Sequence, residues 1–89
     1  MARVLIIDDD KLICSAISNV VKRMGHEVVS AHTLRDGLKR ASSSDFDVVF
    51  LDVRMPDGSG LDVIPELQST PSSPEIIIIT GSGDPDGAE

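Results

Sequence analysis

The chain has 89 residues, 40% of them hydrophobic and none of them Trp or Tyr, which predicts a single globular domain with an aliphatic core. Its formal net charge of -7 argues against direct nucleic-acid binding by this segment, because phosphate backbones are bound by clustered Lys and Arg. The apolar runs are too short to span a membrane and no secretory leader opens the chain, so we expect a cytoplasmic location and no membrane partner.

The first predicted element is an apolar strand over residues 4–7, followed by an amphipathic helix. In that helix, apolar residues recur at spacings of three and four and end before Gly25, a residue type that commonly caps helices. The members of this stripe are Ile13, Ala16, Ile17, Val20 and Met24. A mixed strand over residues 27–31 comes next, and Thr33 then stands three residues before Asp36, the order of a helix amino-terminal cap.

The second half of the chain repeats this alternation, with apolar strands over residues 48–51 and 76–79. A turn at residues 57–60 leads into a third helix that carries Leu61, Ile64 and Leu67, and Pro65 is expected to shorten or kink it. Strand and helix alternate with connections long enough for right-handed crossovers. The sequence therefore predicts an α/β fold with a parallel sheet, in the strand order 2-1-3-4 if the sheet reverses between its first and third strands.

Acidic side chains stand at the ends of two predicted strands. Asp8 and Asp9 close the first strand and Asp52 closes the third. Ligands of open parallel sheets bind beyond the carboxyl ends of the strands, so these three carboxylates should converge. Such a cluster repels itself unless a proton or cation intervenes, and Mg2+ is the hard cation that best suits carboxylate oxygens. We interpret Asp10 instead as a helix cap.

The segments that carry these residues resemble a bacterial response-regulator receiver domain, which has a flavodoxin-like (CheY-like) fold. The resemblance covers nearly the whole chain, and its three segments are residues 4–10, 49–60 and 76–81. Within that family, the triplet at residues 8–10, the run Arg54-Met55-Pro56 and the ending at residues 84–89 are most similar to NtrC-type two-component regulators.

The resemblance implies a role for each matching position. Asp52 would be the phosphoryl acceptor, and Mg2+ would be bound by Asp8, Asp9, Asp52 and the backbone carbonyl of Arg54. Thr80 would bond the phosphoryl oxygens and report the modification. The chain would then be a switch rather than an enzyme: a sensor histidine kinase would donate the phosphoryl group, and a domain absent here would control transcription.

Receivers continue with a fifth strand, which ends in a lysine that pairs with the phosphoryl group, and a last helix. The chain stops before both, so we expect residues 1–89 to be an incomplete receiver, with a core over 1–80 and a flexible tail or the start of the next helix over 81–89. No lysine is assigned to the phosphoryl group, because Lys11, Lys22 and Lys39 fall in predicted helices. An uncovered strand at residues 75–80 would invite pairing with a second copy, so a homodimer is also expected.

The principal alternative is a receiver-shaped interaction module that is never phosphorylated. Incubation with Mg2+ and a small phosphoryl donor separates the two functions, since only the switch gains mass. A haloacid-dehalogenase-like phosphatase is a weaker alternative, because it needs a second acidic residue where Arg54 stands. A mononucleotide-binding fold of the Rossmann kind would need a glycine-rich turn at residues 8–11, which is acidic instead.

Overall fold

A computed structural model describes residues 1–79 of the chain, which form a three-layer α/β fold. One helix covers one face of a parallel sheet and two helices cover the other. The elements are β1 (Arg3–Ile7), α1 (Lys11–Arg23), β2 (Glu27–Ala31), α2 (Leu34–Ser43), β3 (Val48–Asp52), β4 (Arg54–Met55), β5 (Gly58–Ser59), a 3-10 helix (Gly60–Val63), α3 (Ile64–Gln68) and β6 (Glu75–Ile79).

The four long strands form one parallel sheet in the order β2-β1-β3-β6. This order confirms the predicted 2-1-3-4 arrangement, with β6 as the fourth strand of the prediction. In the register of the sheet, Ile7 at the end of β1 lies between Ala31 of β2 and Leu51 of β3. The residues that follow Ile7 and Leu51 are therefore neighbours at the carboxyl edge of the sheet.

The sheet separates two apolar clusters because successive side chains of a strand point to opposite faces. In β1, Leu5 and Ile7 pack toward α2 and α3, whereas Val4 and Ile6 pack toward α1. The larger cluster contains Leu5, Ile7, Ala31, Leu34, Ala41, Phe46, Val49, Leu51, Met55, Val63 and Leu67, and the smaller contains Val4, Ile6, Cys14 and Val21. β1 is thus buried on both faces, as its continuous apolar run predicts.

Both long helices begin at side-chain caps. The carboxylate of Asp10 accepts hydrogen bonds from the backbone N–H groups of Leu12 and Ile13, at 2.9 and 3.3 Å, which confirms its interpretation as a cap. In α2, the Thr33 hydroxyl accepts the N–H of Asp36 at 3.0 Å, as predicted. These bonds satisfy amide groups that the first turn of a helix leaves without intrahelical partners.

The predicted apolar stripe of α1 was wrong for Ala16, Val20 and Met24, which are all exposed. Val20 and Met24 are 55% and 66% exposed, while the helix buries Cys14 and Val21 against the sheet. Neighbouring helix residues lie about 100° apart, so burial of Val21 turns Val20 outward. No described element covers that side of α1.

The third helix is short, as Pro65 predicted. A single 3-10 turn over Gly60–Val63 runs into α3, and Pro65 lies in the first turn of α3, where its missing N–H costs little. Leu67 is buried in the core and Ile64 packs against it, as predicted, whereas Leu61 is 53% exposed and Val63 occupies a core position that was not predicted. The predicted turn at residues 57–60 also contains part of a small antiparallel ribbon, β4–β5.

One edge strand of the described sheet is β6, whose apolar run is only partly covered. Ile77 and Ile78 expose 45% and 37% of their surfaces, although the run resembles that of a strand buried on both faces.

Within residues 1–79, no helix has both the length and the apolar content to cross a bilayer.

Gly37 lets α2 lie directly on β1, so a larger residue there should destabilise the fold. A Cβ atom at position 37 would stand 2.5 and 2.8 Å from the Cδ1 and Cγ1 atoms of Ile7, which is fully buried. Ala favours helices over Gly by about 1 kcal/mol, but overpacking costs about 1–3 kcal/mol. We expect Gly37→Ala to lower the free energy of unfolding, measured by urea denaturation, whereas Ser42→Ala on the exposed side of α2 should not. Equal or greater stability of Gly37→Ala would contradict this close packing.

Candidate metal centre

Three carboxylates converge at the carboxyl edge of the sheet. One carboxylate oxygen from each of Asp8, Asp9 and Asp52 lies within 4.8 Å of the other two. Asp52 is the last residue of β3, and Asp8 directly follows β1, where its N–H donates to the Ala31 carbonyl at 3.0 Å. The parallel register places these two strand ends side by side, so the predicted convergence is observed.

Two of these carboxylates are buried and one faces solvent. Asp8 and Asp52 are each 1% exposed, whereas Asp9 is exposed. Oδ1 of Asp8 accepts the Asp10 N–H at 2.9 Å, and Oδ1 of Asp52 accepts the Arg54 N–H at 3.3 Å. Oδ2 of Asp8 is buried and accepts no hydrogen bond from the described residues. A buried carboxylate oxygen that accepts no hydrogen bond destabilises the folded state unless a cation or proton binds it.

The electrostatics of the cluster also suit a cation. Burial, together with the nearby Asp52 and Asp9 carboxylates, raises the pKa of Asp8 to about 6, against the lowering effect of the hydrogen bond from the Asp10 N–H. A divalent cation would offset both the lost hydration and the repulsion. The donor set consists of carboxylate oxygens open to solvent on one side, which fits Mg2+ with some of its waters retained.

The loop that follows Asp52 is held close to it. The N–H of Gly60 donates to the Val53 carbonyl at 2.7 Å. A Cβ atom at position 60 would collide with the carbonyl oxygen of Asp52 and come within 3.1 Å of Cγ of Leu51. Gly60 is therefore required by close approach of two backbone segments, a role that the sequence analysis missed because it treated this glycine only as part of a turn.

Asp57 in this loop makes a contact with α2 that was not predicted. Its two carboxylate oxygens accept the backbone N–H groups of Leu34 and Arg35, at 2.9 and 3.0 Å, in the first turn of α2. The Asp57-Gly58 pair was interpreted as a turn, which is correct, but the partners lie 23 and 22 residues earlier in the chain. No local pattern in the sequence signals that contact.

Of the other predicted site residues, Arg54 is among the described residues and Thr80 is not. Arg54 lies in β4 beside the cluster, and its N–H donates a hydrogen bond to the Asp52 carboxylate. Binding of Mg2+ by its carbonyl stays a prediction. Thr80 and the proposed tail over residues 81–89 lie outside the described residues. Cys14 is buried, and its Sγ donates to the Asp8 carbonyl at 3.3 Å, which helps to hold the end of β1.

A parallel sheet of this order, with carboxylates at its carboxyl edge, places the protein among CheY-like proteins of the flavodoxin-like fold. The response regulator receiver domain family matches residues 4–89, and the chain belongs to this family. The cell cycle transcriptional regulator CtrA of Caulobacter vibrioides is 32% identical over 84 residues, which are 94% of this chain and 36% of that protein. The chain thus spans little more than a third of this relative.

Two solved structures show the same fold. A response regulator from Burkholderia pseudomallei, crystallised with a phosphorylated aspartic acid and a calcium ion, superimposes with a TM-score of 0.85 at 26% identity, over 99% of this chain and 52% of that one. The beryllofluoride-activated receiver domain dimer of NtrC4 gives a TM-score of 0.83 at 38% identity, over 99% of this chain and 73% of that one. Each is a protein to which this chain is similar.

The raised pKa of Asp8 predicts how metal-free stability depends on pH. Because the folded state holds this proton more tightly than the unfolded state, Asp8 favours folding most below about pH 4, and its contribution is lost as pH rises toward about 6. The expected loss is on the order of 2–3 kcal/mol, from a shift of about two units. The free energy of unfolding of Asp8→Asn, measured by urea denaturation in EDTA, should not show this loss as the pH rises.

Mg2+ should offset this loss of stability, because a divalent cation held by the ionised carboxylates would compete with the proton. We expect Mg2+ to raise the melting temperature of the wild type strongly at pH 7 and weakly at pH 5, measured by circular dichroism. Identical pH profiles for the wild type and Asp8→Asn in EDTA would contradict the assigned cause.

Proposed function

We propose that this chain is a phosphorylation switch that accepts a phosphoryl group on Asp52. The observation that carries the proposal is the approach of Asp8, Asp9 and Asp52 to within 4.8 Å at the end of the sheet. Family membership supports it, since receiver domains are phosphoacceptor switches. The aspartyl phosphate in the Burkholderia neighbour supports an aspartate as the acceptor.

In the proposed reaction, a carboxylate oxygen of Asp52 attacks the phosphorus atom of the donor. A bond forms between that oxygen and phosphorus while the bond from phosphorus to the donor breaks, and the donor keeps the electron pair. The Arg54 N–H on Oδ1 fixes the rotation of the Asp52 carboxylate about its side-chain bond. Phosphoryl transfer demands mainly positioning and neutralisation of charge, so a held carboxylate suffices as the nucleophile.

Asp8, Asp9, Asp52 and the Arg54 carbonyl are the proposed Mg2+ ligands. When bound, Mg2+ supplies positive charge between the attacking oxygen and the transferred phosphoryl group. Asp8 would contribute its buried Oδ2, and exposed Asp9 would contribute an oxygen from the solvent side. The calcium ion in the Burkholderia neighbour supports a divalent cation at this kind of site.

Thr80 is the proposed sensor of the phosphoryl group. It directly follows Ile79, which is the register partner of Asp52 in the sheet. A hydroxyl at that position would bond a phosphoryl oxygen and bias a two-state conformational equilibrium of the domain. The proposed donor is a sensor histidine kinase in the cytoplasm, and the proposed output is control of transcription by a domain outside this chain.

Mass spectrometry tests the switch directly. Incubation with Mg2+ and acetyl phosphate should add the mass of one phosphoryl group to the wild type, and Asp52→Asn should abolish the gain because its amide is not a nucleophile of this kind. Asp62→Asn, which removes an exposed acidic group from the 3-10 helix, is the matched control and should retain it. An unmodified wild type would instead favour the receiver-shaped interaction module.

Homodimerisation is a second part of the proposal, supported by the NtrC4 receiver dimer and by the exposed isoleucines of β6. Lysine on an edge strand opposes pairing with another chain. We expect the wild type to show a dimer in sedimentation analysis at high concentration and Ile77→Lys to weaken it. Leu12→Lys, on an 82% exposed side chain of α1, is the control. A monomeric wild type would refute the dimer and leave the switch unaffected.

A further inference from the structure

The side chain of Asp57 joins the loop that follows Asp52 to a different layer of the fold. One of its carboxylate oxygens accepts the N–H of Leu34, and the other accepts the N–H of Arg35. These bonds of 2.9 and 3.0 Å have the geometry of charge-assisted hydrogen bonds to a carboxylate. A forked contact of this kind restricts the direction of the side chain as well as its distance.

The position of Asp57 makes this contact relevant to the metal centre. The residue lies at the tip of the β4–β5 ribbon, between Met55 and Gly58, which pair with each other. At the base of the same loop, the Gly60 N–H donates to the Val53 carbonyl, and the Arg54 N–H donates to the Asp52 carboxylate. The loop is thus fixed at its base by its own backbone and at its tip by α2.

The first turn of α2 is capped by Thr33 as well as by Asp57. The helix has its own cap, the Thr33 hydroxyl, which accepts the N–H of Asp36. Asp57 satisfies two further amide groups of the first turn, and it is the acceptor that ties this turn to the loop after Asp52. The bonds from Leu34 and then Arg35 hold the pKa of Asp57 below its ordinary value, because they favour the ionised carboxylate.

We propose that Asp57 is a positioning residue for the metal centre, which holds the loop at residues 53–60 so that the Arg54 backbone stays in place beside Asp8, Asp9 and Asp52. This inference rests on the proposed function, because it assigns the Arg54 carbonyl to the bound Mg2+. Asp57 acts through the backbone of the loop and not by contact with metal or phosphoryl group. Residues that orient metal ligands typically change affinity or activity by about 10-fold to 100-fold when they are removed.

The test compares two variants that each remove a cap from α2. Asp57→Ala removes the cap that also holds the loop, and Thr33→Ala removes the cap that does not. We expect both to lower the melting temperature, but only Asp57→Ala to weaken Mg2+ binding, by about 10-fold in isothermal titration calorimetry, at the lower end of the usual range. Only Asp57→Ala should also speed amide hydrogen exchange at Gly60, whose N–H bonds Val53 across the loop.

Asp57→Asn provides an intermediate variant that keeps the size of the side chain. Its amide oxygen can accept one of the two N–H groups, while its NH2 group cannot accept the other. We expect a Mg2+ affinity between those of the wild type and Asp57→Ala. If Asp57→Ala fails to fold, the comparison of Asp57→Asn with Thr33→Ala decides the question in its place.

Wild-type Mg2+ affinity and wild-type exchange at Gly60 in the Asp57 variants would overturn the proposal and reduce Asp57 to a helix cap. Equal losses of affinity in Asp57→Ala and Thr33→Ala would also overturn it, because the effect would then follow α2 stability. Failure of the proposed function is a separate result: the wild type would gain no phosphoryl group, while the Mg2+ titrations would still decide the role of Asp57.

Discussion

Repulsion between carboxylates held at neighbouring strand ends is the constraint on which the rest of the structure depends. Asp8 and Asp52 are almost completely buried, and the register of β1 and β3 leaves them no freedom to separate. Burial and neighbouring charge already raise the pKa of Asp8. The folded protein at neutral pH therefore concentrates negative charge that a divalent cation would offset. The same cation would prepare Asp52, the proposed acceptor, for an anionic phosphoryl group.

The fold supports this cluster from several directions. Gly37 brings α2 against Ile7, the residue before Asp8, and Gly60 brings the 3-10 helix against the backbone of Asp52. Asp57 links the same loop to α2. Each contact lies outside the cluster, yet each fixes backbone that carries a proposed ligand. Preorganisation of this kind lets few functional side chains perform phosphoryl transfer, which requires little beyond position and charge.

Features set by local sequence were predictable, and features set by distant contacts were not. The strand over residues 27–31 and the caps at Asp10 and Thr33 follow from short patterns. Convergence of the acidic residues followed because parallel topology places strand ends together. Periodicity identified an apolar side of α1, but it could not tell that Val20 would remain uncovered, since that depends on tertiary packing. The partners of Asp57 lie in another part of the chain, where sequence spacing gives no information.

A crystal structure with Mn2+ in place of Mg2+ tests the central claim most directly, because Mn2+ accepts the same oxygen ligands and is located by its anomalous scattering. The account predicts an anomalous peak among the carboxylates of Asp8, Asp9 and Asp52, within about 2.5 Å of at least two of their oxygens. A chain that crystallises in Mn2+ with these carboxylates together and no peak between them, or with its peak elsewhere, would contradict it.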